Sequence, residues 1–167
     1  MNSIDKRTSI RKFQDRPVEE EKLNRVLQAG MLAPSACDLR PWEFLVITDR
    51  KDSEAIAQMS PYAKPSAKAA VNIILLVNKK RVEKLDAWWQ QDMGACAENI
   101  LLELVEQGLG GVWMGIYPDM ERCGKLKQYF SLPEEIIPFA VIAAGYPAGE
   151  NEPKDKYEPE RIHMGRY

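Results

Sequence analysis

The feature that most restricts this chain is the stretch from Lys84 to Gln107. There Leu85, Trp88, Trp89, Met93, Cys96, Ile100, Leu101, Leu104 and Val105 recur at helical spacing around more than one face. A helix with one apolar stripe can lie on a sheet, whereas one that is apolar on several faces has to be surrounded. The spacing therefore predicts a long helix, stopped at Gly108, that crosses the middle of the domain or also packs on a second subunit. Trp88 and Trp89 read as core or interface residues of that helix rather than as a stacking platform. A chain of this size buries about 70% of its unfolded surface, which supports one core and not two. We expect a single domain over residues 1–167.

The other elements follow from shorter patterns. Asp15 and Pro17, followed by Glu19, Glu20 and Glu21, suit a helix start, and Leu23, Val26, Leu27, Gly30 and Met31 continue it as one apolar face until Pro34. Short apolar runs predict strands over Trp42–Thr48, Val71–Val77, Val112–Ile116 and Ile137–Gly145, with a helix from about Asp119 to Phe130 between the last two. From Ala148 to Tyr167 apolar residues are too few to fold alone, so this part reads as a tail or an arm. Uneven connections argue against a doubly wound parallel sheet and for a mixed α+β fold.

Several function classes drop out. A formal charge of −2 gives no general attraction for nucleic acid or an anionic membrane. The longest apolar run, Ala69–Val77, is interrupted by Asn72 and falls well short of the roughly 18 residues that span a bilayer. No signal peptide is visible, so the expected compartment is the cytoplasm. Cys37, Cys96 and Cys123 are too scattered for a disulfide framework and read as reduced, mostly structural thiols; with His163 as sole histidine, no metal site is expected. The phosphate-loop, zinc-helix and nucleophile-elbow motifs are missing. Around Gly108, Gly110, Gly111 and Gly115 the dinucleotide fingerprint fails, because Trp113 stands at the last glycine position and the helix precedes the strand. An enzyme with this sequence would have a cofactor carry the reaction.

Two segments stand out. In Arg7-Thr8-Ser9-Ile10-Arg11, extended backbone would put Arg7, Ser9 and Arg11 on one side. Two guanidinium forks and a hydroxyl form a credible phosphate clamp, although spacing alone also fits a solvated basic terminus. The second segment, Ala33-Pro34-Ser35-Ala36-Cys37-Asp38-Leu39-Arg40-Pro41-Trp42, joins helix to strand with small and polar residues that let backbone approach a flat ligand.

Taken together, RxSxR, the APSxxxxxPW turn, GLGxxWMGIYP and GYP with a late basic pair closely resemble the FMN-dependent nitroreductase family, from Arg7 to Lys156. The resemblance implies a mainly antiparallel sheet flanked by helices and a homodimer whose C-terminal arm, residues 148–167, is exchanged between subunits. It implies that Arg7, Ser9 and Arg11 bind the FMN phosphate and ribityl end, and that Lys154 and Lys156 complete the phosphate site. Pro34, Ser35, Ala36 and Asp38 match the turn that reaches the cofactor from the partner subunit. Here Asp38 stands where the family usually has Asn, and Arg40 where it often has Gln. Trp113, Met114, Gly115 and Ile116 match the stretch whose backbone passes the reactive ring edge, where an N–H would stabilise arriving electron density.

The implied activity is ping-pong hydride transfer from NADH or NADPH through flavin N5 to a nitroaromatic, quinone or similar small-molecule acceptor, with no side chain as catalytic nucleophile or base. Alternatives from the residues are a non-catalytic dimer that binds flavin or another phosphate-bearing ligand, a cofactor-free structural dimer, and a family variant that reduces another electrophile such as an activated alkene.

Overall fold

The computed structural model describes residues 2–83, 87–149, 152–153 and 155–167. Strands β1 (Trp42–Ile47), β2 (Val71–Asn78), β3 (Gly110–Gly115) and β4 (Ile136–Gly145) form one sheet in the order β1-β2-β4-β3, with every neighbouring pair antiparallel. This is the predicted α+β class, and each strand lies within two residues of its expected bounds. The parallel component is an isolated bridge between Ser9 and Gly111.

Because side chains alternate along a strand, β2 serves two cores at once. Ile73, Leu75 and Val77, with Ile142 and Ala144 of β4, face α2 (Glu20–Met31) and α4 (Trp89–Glu106). Ile74 and Leu76, with Val141 and Ala143, face α3 (Arg50–Gln58) and α5 (Met120–Tyr129). Covered on both sides, β2 is buried from Val71 to Val77.

The long helix is central, as its several apolar faces require. Met93, Ile100 and Leu104 are fully buried in α4, and each contributes about 1.5–3 kcal/mol of burial. The helix opens at Trp89, and Ala87 and Trp88 form a turn before it. Residues 84–86, where the predicted start falls, lie outside the described residues. Trp89 is 2% exposed and Trp88 50%, so only one of the pair is core. The predicted stop holds: Gly108 has φ +70°, and the N–H groups of Gly108 and Leu109 donate to the Val105 and Leu104 carbonyls. Burial pushes the Cys96 thiol up to about 12 and raises that of Cys123, which suits structural cysteines; Cys37 is exposed.

Three helical features depart from expectation. Helix α2 begins at Glu20 instead of near Pro17, because residues 14–16 are occupied elsewhere: the Gln14 N–H donates to the Tyr146 carbonyl and that of Arg16 to the Gln14 carbonyl. Helix α3 was unexpected. It buries only Ser53 and Ile56 and so lacks an apolar period, and its signal is the Asp49 cap, whose carboxylate accepts the Asp52 N–H at 3.0 Å. The four-residue α1 (Ser3–Lys6) is fixed by a reciprocal cap between Asn2 and Asp5.

The segment after α1 is stitched to distant chain. The Ile10 N–H donates to the Gly111 carbonyl, Phe13 bridges Pro147, and the Ala148 N–H donates to the Lys12 carbonyl. Nearby, the Tyr146 hydroxyl donates to Glu19 at 2.6 Å and accepts from Lys22 at 2.9 Å, with the Arg16 guanidinium 3.8 Å above its ring. The Tyr146 hydrogen bond above all, helped by the Glu19 N–H and Arg16, lowers the Glu19 carboxyl from its ordinary 4.5 to about 2.

Two outcomes are expected. A methyl group at Gly110 would overlap Ile10 Cγ1 and lie 3.0 Å from its Cβ, so Gly110→Ala should cost about 1–3 kcal/mol in denaturant unfolding. The Glu19 carboxyl holds its proton more weakly folded than unfolded, so its stabilisation is complete above pH 4.5 and is lost as pH falls through about 2. Thermal unfolding from pH 7 to 2 should show Tyr146→Phe with a lower midpoint at neutral pH and a shallower acid decline than the parent. Because Glu19 is exposed, high salt should shrink that difference.

Candidate functional site

Arg7, Ser9 and Arg11 stand on an extended segment. The chain leaves α1 at Arg7 with φ −62° and ψ 118° and passes along β3, with Ile10 buried as its anchor. Arg7, Ser9 and Arg11 line a cavity of about 950 Å³, with Thr8 between them also on its wall, and Lys156 joins them from far along the chain. Lys154 lies outside the described residues. Arg7 Nε is 3.6 Å from Glu98 of α4, and Arg11 Nη1 donates to the Ser9 carbonyl at 3.4 Å. Asp5, Glu152 and Asp155 also line the cavity. Two of these carboxylates have local work: Asp5 caps α1, and Asp155 accepts the Tyr157 N–H. Guanidinium forks, an ammonium and a hydroxyl suit the tetrahedral oxygens of a phosphate monoester.

The second segment is a strained turn. Residues Ala36–Asp38 form one 3-10 turn after Ser35, and Cys37, Asp38 and Arg40 have φ of 50°, 54° and 47°. Each such residue costs on the order of 1–3 kcal/mol unless its surroundings hold it. Beside the backbone bonds from Asp38 to Ser35 and from Leu39 to Ala36, two side-chain bonds do so: Ser35 Oγ accepts the Arg40 N–H at 3.0 Å, and Asp92 of α4 accepts the Ala36 N–H at 3.0 Å. Asp38 pairs with Arg40 at 3.2 Å, so the acid has a counter-charge within the turn. Pro34 and Asp38 are exposed, while Ser35 and Ala36 are half-buried. In one protomer this turn does not contribute to the cavity that holds Arg7.

The third segment is the outer edge of β3. Since the Gly111 carbonyl accepts from Ile10 outside the sheet, the two-residue period turns the N–H and C=O of Trp113 and Gly115 outward as well. The Gly115 carbonyl accepts from Arg122 at 3.2 Å, and the space where a Gly115 Cβ would stand is open to 4 Å. Met114 and Ile116 point into the core, and Trp113 is half-buried against Phe139 at 5.8 Å. An exposed backbone edge beside a glycine accepts a flat ring without a steric barrier.

Sequence reasoning missed the residues of α4 that hold these segments. Glu98 reaches Arg7, Asp92 reaches Ala36, and Trp89 packs on Tyr117, just past β3, at 4.7 Å. One signal was present: Asp92 falls beside Trp89, Met93 and Cys96 on the buried stripe, where a carboxylate needs a hydrogen-bond donor. Among the described residues no three His, Cys, Asp or Glu side chains gather as a metal site would require, and no helix is long and apolar enough to cross a membrane.

Comparison with known proteins bears on this arrangement. The sequence pattern of the nitroreductase family matches residues 4–146. A protein of Methanothermobacter thermautotrophicus, provisionally named NADH dehydrogenase/NAD(P)H nitroreductase, is 41% identical over all of this chain and 87% of its own length. The crystal structure of a Clostridium acetobutylicum protein, provisionally named an NADH oxidase, superposes with a TM-score of 0.96 at 42% identity, over 99% of this chain and 100% of that one. An FMN-dependent nitroreductase of Clostridium difficile superposes with a TM-score of 0.91 at 27% identity, over 99% of both chains. With a family match across most of its length and relatives this similar, the chain belongs to the nitroreductase family.

Proposed function

We propose that this protein is an FMN-dependent NAD(P)H oxidoreductase of two-step, ping-pong type. The observation that carries this reading is the meeting of Arg7, Ser9 and Arg11 with Lys156, from opposite ends of the chain, in one cavity sized for a ligand. When bound, FMN supplies the redox chemistry, taking hydride at N5 from NADH or NADPH and passing two electrons to a nitroaromatic, quinone or similar electrophile. The protein's part is to bind, orient and polarise. Arg7, Arg11 and Lys156, together with Lys154, neutralise the phosphate dianion, and Ser9 adds a short hydrogen bond. The outward N–H groups of Trp113 and Gly115 stand along the ring edge, with Met114 and Ile116 fixing the strand from the core side. Positive charge and N–H dipoles that are already in place cost no reorganisation when negative charge arrives.

The turn of Pro34, Ser35, Ala36 and Asp38 contacts the flavin of a second subunit in this reading, which accounts for its separation from its own protomer's cavity. The arm supports a homodimer. Tyr157, Ile162, Met164 and Tyr167 are all more than half exposed in the single protomer, apolar area that a second copy would cover.

Purified protein should be yellow, and its flavin band should bleach on anaerobic addition of NADH or NADPH and return with a nitroaromatic or quinone. A bound flavin that stays oxidised with both nicotinamides would instead mark a binding protein. Arg7→Ala or Arg11→Ala should weaken FMN retention by about tenfold or more, the scale of one charge-assisted hydrogen bond; equilibrium dialysis checks this. Sedimentation should give a flavin-loaded species of twice the chain mass, and a monomer carrying flavin would contradict the shared site.

A further inference from the structure

One contact of α4 is not explained by packing. Asp92 is 6% exposed, on the stripe that otherwise carries Trp89, Met93 and Cys96. A carboxylate in such a place is tolerated when it is hydrogen-bonded, and its Oδ1 takes the N–H of Ala36 at 3.0 Å. Ala36 opens the turn in which Cys37, Asp38 and Arg40 hold left-handed backbone. Such backbone persists where neighbours over-determine it. Within the turn the Ser35 hydroxyl accepts from Arg40 and the Ser35 and Ala36 carbonyls accept from Asp38 and Leu39; Leu39 packs on the core, and Asp92 adds a hydrogen bond from outside the turn. The capping residue Trp88 offers α4 no side-chain acceptor, so the Asp92 charge, in the first turns, also favours the positive helix end.

We propose that Asp92 is a positioning residue: it locks the 35–40 turn in the shape that presents Pro34, Ser35, Ala36 and Asp38 to the flavin of the partner subunit. The inference rests on the FMN reading above. Asp92 acts through the Ala36 N–H. The same end of α4 packs Trp89 on Tyr117, so the turn and the ring-edge strand take their positions from one rigid element.

The test is hydrogen exchange on the full chain, with FMN affinity measured beside it, for Asp92→Ala and Asp92→Asn. In Asp92→Ala the amides of residues 36–40 should exchange about tenfold faster while those of β2 keep their protection, and FMN should bind about tenfold more weakly. Asparagine keeps an oxygen that can accept the Ala36 N–H, so Asp92→Asn should restore both readings toward the parent. Unchanged exchange over 36–40, acceleration spread equally through β2, or an asparagine variant no better than alanine would each overturn the proposal. Faster exchange with unaltered FMN affinity would also overturn it, since the turn would then not serve the cofactor. Should Asp92→Ala not fold, Asp92→Ser, whose hydroxyl is too short to reach Ala36, replaces it with the same outcomes. Failure of the parent chain to bind FMN would sink the functional reading and with it the turn's service to a flavin, whereas exchange at 36–40 would still report separately whether Asp92 holds the turn.

Discussion

The burial of α4 is the constraint on which the other parts depend. Its apolar faces are satisfied by the sheet on one side and α2 on another, which anchors it firmly enough to position other segments. From its first turns to its middle it holds, in order, the residue past β3 through Trp89, the strained turn through Asp92 and the clamp through Glu98. Three segments far apart in sequence thereby share one reference. Sites that must hold flat, multi-contact ligands need placement within a fraction of an ångström, and a packed helix delivers that better than loops do.

The polar bonds at this helix are few, and their surroundings decide their weight. The Arg7–Glu98 pair is long and half open to solvent, so it orients the guanidinium without contributing much stability. The Asp92 bond is shielded, where an unmet N–H or carboxylate is costly. Under the proposed function, a weak pair at Arg7 lets its guanidinium exchange Glu98 for a phosphate. A strong one at the turn keeps a strained backbone from relaxing.

Much of the fold was legible in the sequence because its elements announce themselves by burial. From Val71 to Val77 β2 is apolar except at Asn72, β4 reads as a single run, and α4 shows its period on several faces. Helix α3 was not legible, since it touches the core through Ser53 and Ile56 alone and local capping had to stand in for periodicity. The start of α2 was misplaced because long-range bonds to Tyr146 took residues 14–16 away from the helix, and no local rule contains Tyr146. For the candidate site, the alternation of Arg7, Ser9 and Arg11 was visible, and so were the small residues of the turn. What supports them was not. Asp92 and Glu98 act on partners 56 and 91 positions away, and only the packing of α4 brings them there.

The stitching of residues 9–14 to Gly111, Tyr146 and Pro147 also governs when this segment can dock during synthesis. Contacts between such distant positions close late, after the loops between them have been ordered. During synthesis residues 9–14 gain their partners in stages, first Gly111 and only later Tyr146 and Pro147. The segment that carries Arg7, Ser9 and Arg11 is therefore fully anchored only after residue 147 has been made, which puts the cavity it lines among the late features of the fold to form.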